Sequence, residues 1–111
     1  MNKEEIILYL SIQKSIFLKR FGVTKLGLFG SAARGEKPND IDVILEFEPG
    51  TQDLFEKKIL IKEILESKFQ MPVDICREKS IKPQARELIM HDVIFVWQRP
   101  DQFGGHTGIS E

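Results

Sequence analysis

The stretch GLFGSAARGEKPNDIDVILEF, Gly27 to Phe47, restricts the fold more than any other part of the chain. It starts as an apolar strand, breaks into glycine and small residues, turns polar, and re-enters a strand that carries Asp40 and Asp42. An unpaired charge entering a hydrophobic core is expensive. Side chains two residues apart on a strand share a face, so these two carboxylates stand together at the start of the second strand. Like charges held close need something positive between them. A hard divalent cation such as Mg2+ answers that need, because it takes oxygen ligands and keeps water and phosphate oxygens in its shell.

The other half of the constellation is Gly30-Ser31. Glycine lets the backbone turn sharply and approach a ligand, and the Ser31 hydroxyl with the N–H groups of the next turn can hold phosphate oxygens. Phosphate and metal binders within a dozen residues can face one nucleoside triphosphate. Asp74, in PVDIC, is a third acid in a strand. It completes the set, either holding a second metal or taking the proton of an attacking hydroxyl. Two ions about 4 Å apart would stabilise the entering and leaving oxygens of an in-line displacement.

Periodicity places these residues on elements. Lys3 to Arg20 reads as one helix with Ile7, Leu10, Phe17 and Phe21 inward, and Gly22 stops it. Val23–Phe29 reads as a strand with Leu26, Leu28 and Phe29 buried. Ser31 is a competent cap for a short turn, and GEKPND is loop chemistry before the strand Ile41–Phe47. A helix follows over about Gln52–Phe69, with Thr51 as candidate cap and Phe55 and Phe69 read as core. Pro72 marks an edge strand around Val73–Cys76, Pro83 opens a helix to about His91, and Val93–Trp97 reads as a last strand. This order predicts an α/β (α+β) fold, a small mixed sheet with helices mainly on one face.

Composition narrows the function. Net charge is −1, with 16 basic and 17 acidic residues, which excludes a broad nucleic-acid or anionic-membrane binder but not a nucleotide held through metal. One cysteine, Cys76, forbids an internal disulfide and suits a reducing cytoplasm. The N-terminus reads as an amphipathic helix rather than an apolar leader, and no apolar run is long enough to span a bilayer. Triphosphate-loop, zinc and calcium-loop spacings are absent from the sequence.

GSAARGE followed by NDIDV, and later VDI, closely resembles the minimal nucleotidyltransferases (MNT) of the DNA-polymerase-β-like superfamily. The resemblance spans Gly27 to about Trp97, and its specificity lies in the order and spacing of pieces that are individually weak. By matching positions it implies that Gly30 and Ser31 form the triphosphate-binding turn, Asp40 and Asp42 are the metal-binding pair, Asp74 is the third acid, and Arg34 is the family arginine. Asn39 stands where a serine is common. The domain would cover 1–97, leaving 98–111 as a flexible tail. The resemblance further implies a Mg2+-dependent enzyme with ATP as substrate, transferring AMP to a tyrosine hydroxyl of a helical HEPN (higher eukaryotes and prokaryotes nucleotide-binding) toxin. The chain would then be the antitoxin of a two-protein module. Larger relatives shape their acceptor site with an additional domain for which this sequence has no counterpart, and the resemblance therefore disfavours a small-molecule acceptor. Two alternatives stay open: an antitoxin that acts by binding alone, and an orphan enzyme acting on a small molecule or RNA end.

Other residues have simpler readings. Arg34 either contacts phosphate or pairs with a carboxylate to brace the loop. Lys37, Arg77 and Lys79 are expected at solvated positions, Cys76 as a packed thiol, and His91 at a helix end. His106 belongs to no ligand spacing. Trp97 either covers the sheet or faces a partner.

Overall fold

The computed structural model describes residues 1–100. A four-stranded mixed sheet has the order β3-β2-β1-β4, with β1 Val23–Phe29, β2 Ile41–Phe47, β3 Val73–Arg77 and β4 Ile94–Gln98. β1 is antiparallel to both β2 and β4, and β2 is parallel to β3. Parallel neighbours require a crossover, here the helix Leu54–Phe69. The other helices are α1 Lys3–Ile12, α2 Lys14–Phe21, the single turn α3 Gly30–Ala33, and α5 Pro83–Asp92, so the crossover helix is α4. A 3-10 turn, Glu78–Ser80, follows β3.

Alternation on β2 divides the sheet. Ile41, Val43, Leu45 and Phe47 join Ile6, Leu10, Phe17 and Phe21 of α1 and α2, and Ile61, Leu65 and Phe69 of α4, in one buried cluster. Asp42, Ile44 and Glu46 point to the other face. The mixed sheet and its helix-covered face are as the sequence predicts.

Several local expectations need correction. The N-terminal helix is interrupted at Gln13, two residues after Ser11, whose Oγ donates to the Ile7 carbonyl and competes with the helical ladder. At its start Ile6 is fully buried, and Ile7 packs partly buried against the core beside it. Gly22 does end the second segment, with φ 79° in the left-handed region. Phe29 is only half-buried, because it closes β1 at its open end. Ser31 caps nothing: Phe29 occupies the cap position and Ser31 lies inside the turn. The cap position of α4 is Asp53, while the Thr51 hydroxyl donates to the Glu48 carbonyl. Phe55 is 73% exposed and so is not core. Trp97 packs against the core cluster. β4 runs on to Gln98, and the Arg99 N–H donates to the Thr24 carbonyl, so the ordered sheet passes the expected boundary at 97. The rest of the expected tail, 101–111, lies outside the described residues. Among the described residues no helix is long and apolar enough to cross a membrane.

Candidate active site

The fold brings the sequence-predicted acids to one end of the sheet. In the parallel register Asp42 stands directly beside Asp74, and in the antiparallel register it faces Phe29, the residue before Gly30. Asp40 is exposed and precedes the strand by one residue. Neighbouring positions on adjacent strands share a face, so Asp42 and Asp74 project together. The crossover through α4 is what converts a sequence separation of about thirty residues into one rung of a sheet.

Gly30 completes the constellation. Its φ of 74° is in the left-handed region, which ends β1 in a sharp turn. A Cβ at this position would collide with the Asp42 carboxylate, so glycine is required by space as well as by conformation. Ser31 is half-buried in the first turn of α3, where the leading N–H groups have no partner within the helix. The strand, the turn and the acid therefore meet at one place.

The electrostatics are unusual for a folded protein. Among the described residues, Asp40, Asp42 and Asp74 make no side-chain hydrogen bond and no ion pair. Burial pushes the Asp42 carboxyl above its ordinary value, and the charges of Asp40 and Asp74 push it further, opposed only by Arg34. Like charges on adjacent rungs destabilise a sheet. Among the described residues no three His, Cys, Asp or Glu side chains make a ready metal cage. Mg2+ is commonly held by one or two carboxylates and completes its shell with water and substrate phosphates. The unpaired acids, one of them lying directly against the Gly30 turn, fit such a cation.

Arg34 is placed by salt bridges. Its Nε lies 2.9 Å from Glu36 Oε2 and its Nη1 2.7 Å from Asp92 Oδ2, so it ties the loop after α3 to the end of α5. Both partners hold its proton firmly, and in return it holds the Glu36 and Asp92 carboxyls below their usual range. Bracing is the role these contacts describe. Arg77 departs from its expected solvated place: its Nη2 lies 2.8 Å from the buried Glu46 Oε2. The Cys76 thiol is half-buried, and burial pushes its pKa up, as a packed thiol requires. His91 is exposed in the last turn of α5.

Sequence reasoning missed the groove beside Asp74, which is lined in part by Phe55 and Ile59 of α4. The available signal was the spacing of Phe55, Lys58, Ile59 and Lys62, which puts all four on one helix face distinct from that of Ile61 and Leu65.

Comparison with known proteins agrees with this geometry. Residues 10–96 match the family model described as a nucleotidyltransferase domain. The chain is 34% identical over 95 residues to the protein adenylyltransferase MntA of Thermococcus cleftensis, covering 84% of this chain and 94% of that one. A solved structure described as a minimal nucleotidyltransferase superposes with a TM-score of 0.67 at 28% identity, covering 85% of this chain and 95% of the other. The complex of a tri-AMPylated Shewanella oneidensis HEPN toxin with its MNT antitoxin contains a chain that superposes with a TM-score of 0.55 at 18% identity. That match covers 81% of this chain and 71% of the other, and it speaks for the fold alone. The match to the family model over most of the chain, with two acids on one rung beside a glycine turn, places this protein in the nucleotidyltransferase domain family.

Proposed function

We propose that this chain is a protein adenylyltransferase that moves AMP from Mg-ATP to a tyrosine hydroxyl of a HEPN-type toxin, acting as antitoxin in the cytoplasm. The observation that carries the reading is the unpaired rung Asp42–Asp74 against the Gly30 turn. A protein that silenced its partner by contact alone would have no use for three uncompensated acids at one sheet end.

Each residue then has a task. Gly30 lets the Asp42 carboxylate lie directly against the turn that ends β1, and Ser31 with the leading N–H groups of α3 receives phosphate oxygens. Asp40 and Asp42 would hold the Mg2+ ions, leaving Asp74 beside them for the proton. When bound, these ions neutralise phosphate charge and favour an in-line displacement. The acceptor hydroxyl oxygen bonds to the α-phosphorus, the bond from that phosphorus to the bridging oxygen breaks, and pyrophosphate leaves. Asp74, the more exposed member of the rung, takes the hydroxyl proton. Arg34 acts through structure, keeping the loop after the cradle in place from Glu36 and Asp92.

The test incubates the protein with Mg2+, α-labelled ATP and the purified product of the adjacent gene, beside an Asp42→Asn control. Label on the partner in the wild type alone is the expected result. A tight complex that takes no label from either protein would sink the catalytic reading and leave the binding-only antitoxin.

A further inference from the structure

A groove of about 230 Å³ runs along the outer side of β3, lined by Phe55, Lys58, Ile59, Lys62, Asp74 and Ile75. The four α4 residues follow i, i+3, i+4, i+7 spacing, so they form one stripe. That stripe leans over the sheet edge, while Ile61 and Leu65 face the core. Phe55 is 73% exposed and Ile59 39%. β3 is an edge strand, so no further strand of the described chain covers it.

The edge itself is only partly closed. Lys62 Nζ donates to the Val73 carbonyl at 2.6 Å, and the Val73 N–H donates to Glu66 at 2.8 Å. Those bonds use the first outward-facing backbone groups of β3. Ile75, two residues on, presents its backbone groups to the same side. Between them lies Asp74, which borders the groove and shares a rung with Asp42. Lys58 makes no ion pair or side-chain hydrogen bond among the described residues, which leaves its charge available in the groove.

We propose that this groove seats the acceptor protein: a partner segment rests an apolar or aromatic side chain on Phe55 and Ile59 and sets its hydroxyl at Asp74. The inference rests on the adenylyltransferase reading and deepens it by naming the acceptor side. Three observations choose a protein segment over other occupants. The groove meets the β3 edge at Asp74, whose carboxylate stands with that of Asp42 on the sheet face away from α4, so a segment that crosses the edge brings its hydroxyl to that acid. Its apolar floor and open strand edge suit a peptide backbone with an apolar side chain. Its free cation, Lys58, asks for an acidic residue in the docking segment.

The substitutions Phe55→Ser with Ile59→Ser, and separately Lys58→Glu, alter partly or fully exposed positions and leave the core intact. Three measurements are made with the adjacent-gene product: its affinity for the chain, KM and kcat for label transfer, and Mg-ATP affinity. The double variant should weaken the partner and raise its KM at least about tenfold, as loss of an aromatic anchor does. Mg-ATP affinity should stay within about twofold. Partner affinity and KM unchanged in both variants would overturn the groove assignment, and so would a loss of Mg-ATP affinity, which would give these residues to the nucleotide. Wild-type protein that binds the partner but transfers no label would defeat the transferase reading instead. The groove would then be judged on partner affinity alone, and a wild type that does not bind at all would count against it.

Discussion

Asp42 and Glu46 lie four residues apart on the same strand and on the same face, yet the fold treats them in opposite ways. Glu46 is 7% exposed and fully answered. Its Oε2 accepts from Arg77 and from the Phe47 N–H, and its Oε1 accepts from the Lys79 N–H. Burial opposes its ionisation most strongly, but the two N–H bonds and Arg77 outweigh that and hold its carboxyl below the usual range. Asp42 is less buried, receives nothing, and is pushed upward by burial and by Asp40 and Asp74. A saturated carboxylate pins the 3-10 turn to the sheet; an unsaturated one, beside its own kind, is the one the proposed reading gives to a ligand. On that reading the same residue chemistry serves structure at one end of β2 and function at the other.

The comparison breaks most sharply at Asp42. Asp42→Asn should cut transfer by on the order of 10³-fold, the upper end for removing one preorganised charged group, without loss of thermal stability. Single-turnover labelling and a melting curve on the same preparation check both halves. Glu46→Gln should do the reverse. It removes one partner of a largely buried pair and costs about 3 kcal/mol, at the low end of the range because Arg77 keeps some access to water. Urea denaturation measures the loss, and the folded fraction should still transfer AMP at the wild-type rate. A Glu46 variant that folds normally but is inactive would erase the division of labour between the two ends.

Much of this was legible in the sequence because it depends on local pattern. The strands Val23–Phe29 and Ile41–Phe47 announce themselves through apolar runs bounded by glycine and turn residues, and the acid spacing predicts a shared site. The rung joining Asp42 to Asp74 was harder to see, because it depends on the register that α4 imposes across the crossover. Glu46 and Arg77 were illegible as a pair for the same reason: their partnership is a long-range contact, and each alone looks like a solvated charge. The periodicity of Leu54, Ile61, Leu65 and Phe69 marks the buried face of α4 correctly; Phe55 was misplaced because its aromatic bulk suggests core, although it lies about 100° around the helix from Leu54. The steric need for Gly30 likewise exists only once Asp42 is opposite it.

Gly30→Ala tests that steric link. The alanine would have to hold a left-handed φ and share space with the Asp42 carboxylate. The conformational part costs about 1 kcal/mol. The carboxylate must also shift, and a misplacement of about 1 Å in a reacting group costs on the order of 10²-fold in rate. Activity should therefore fall more than stability does. An alanine variant with full activity would mean that the Asp42 position is loosely held.

The smallest effect is the most diagnostic, because it has opposite signs at the two acids. Ionising Asp42 is harder in the folded chain than in the unfolded one, where its ordinary value is 3.8. Its charge therefore costs stability at pH values above its raised folded value, and the cost disappears as pH falls through that value to below 3.8. Glu46 has an ordinary value of 4.5 and a lower folded one, so its stabilisation is complete above 4.5 and is lost as pH falls through the folded value. At pH 7 Asp42→Asn should thus be slightly more stable than wild type and Glu46→Gln clearly less stable. On acidification the Asp42→Asn gain should vanish first, while the Glu46→Gln deficit persists to lower pH. Saturating Mg-ATP should reverse the first ranking at pH 7, because it binds the folded wild type and stabilises it by about 2.7 kcal/mol at a hundredfold excess over Kd. Denaturation curves of the three proteins, taken at two pH values with and without Mg-ATP, separate these contributions. If Mg-ATP raised the stability of Asp42→Asn as much as that of wild type, the unpaired acid would not be the cation's ligand.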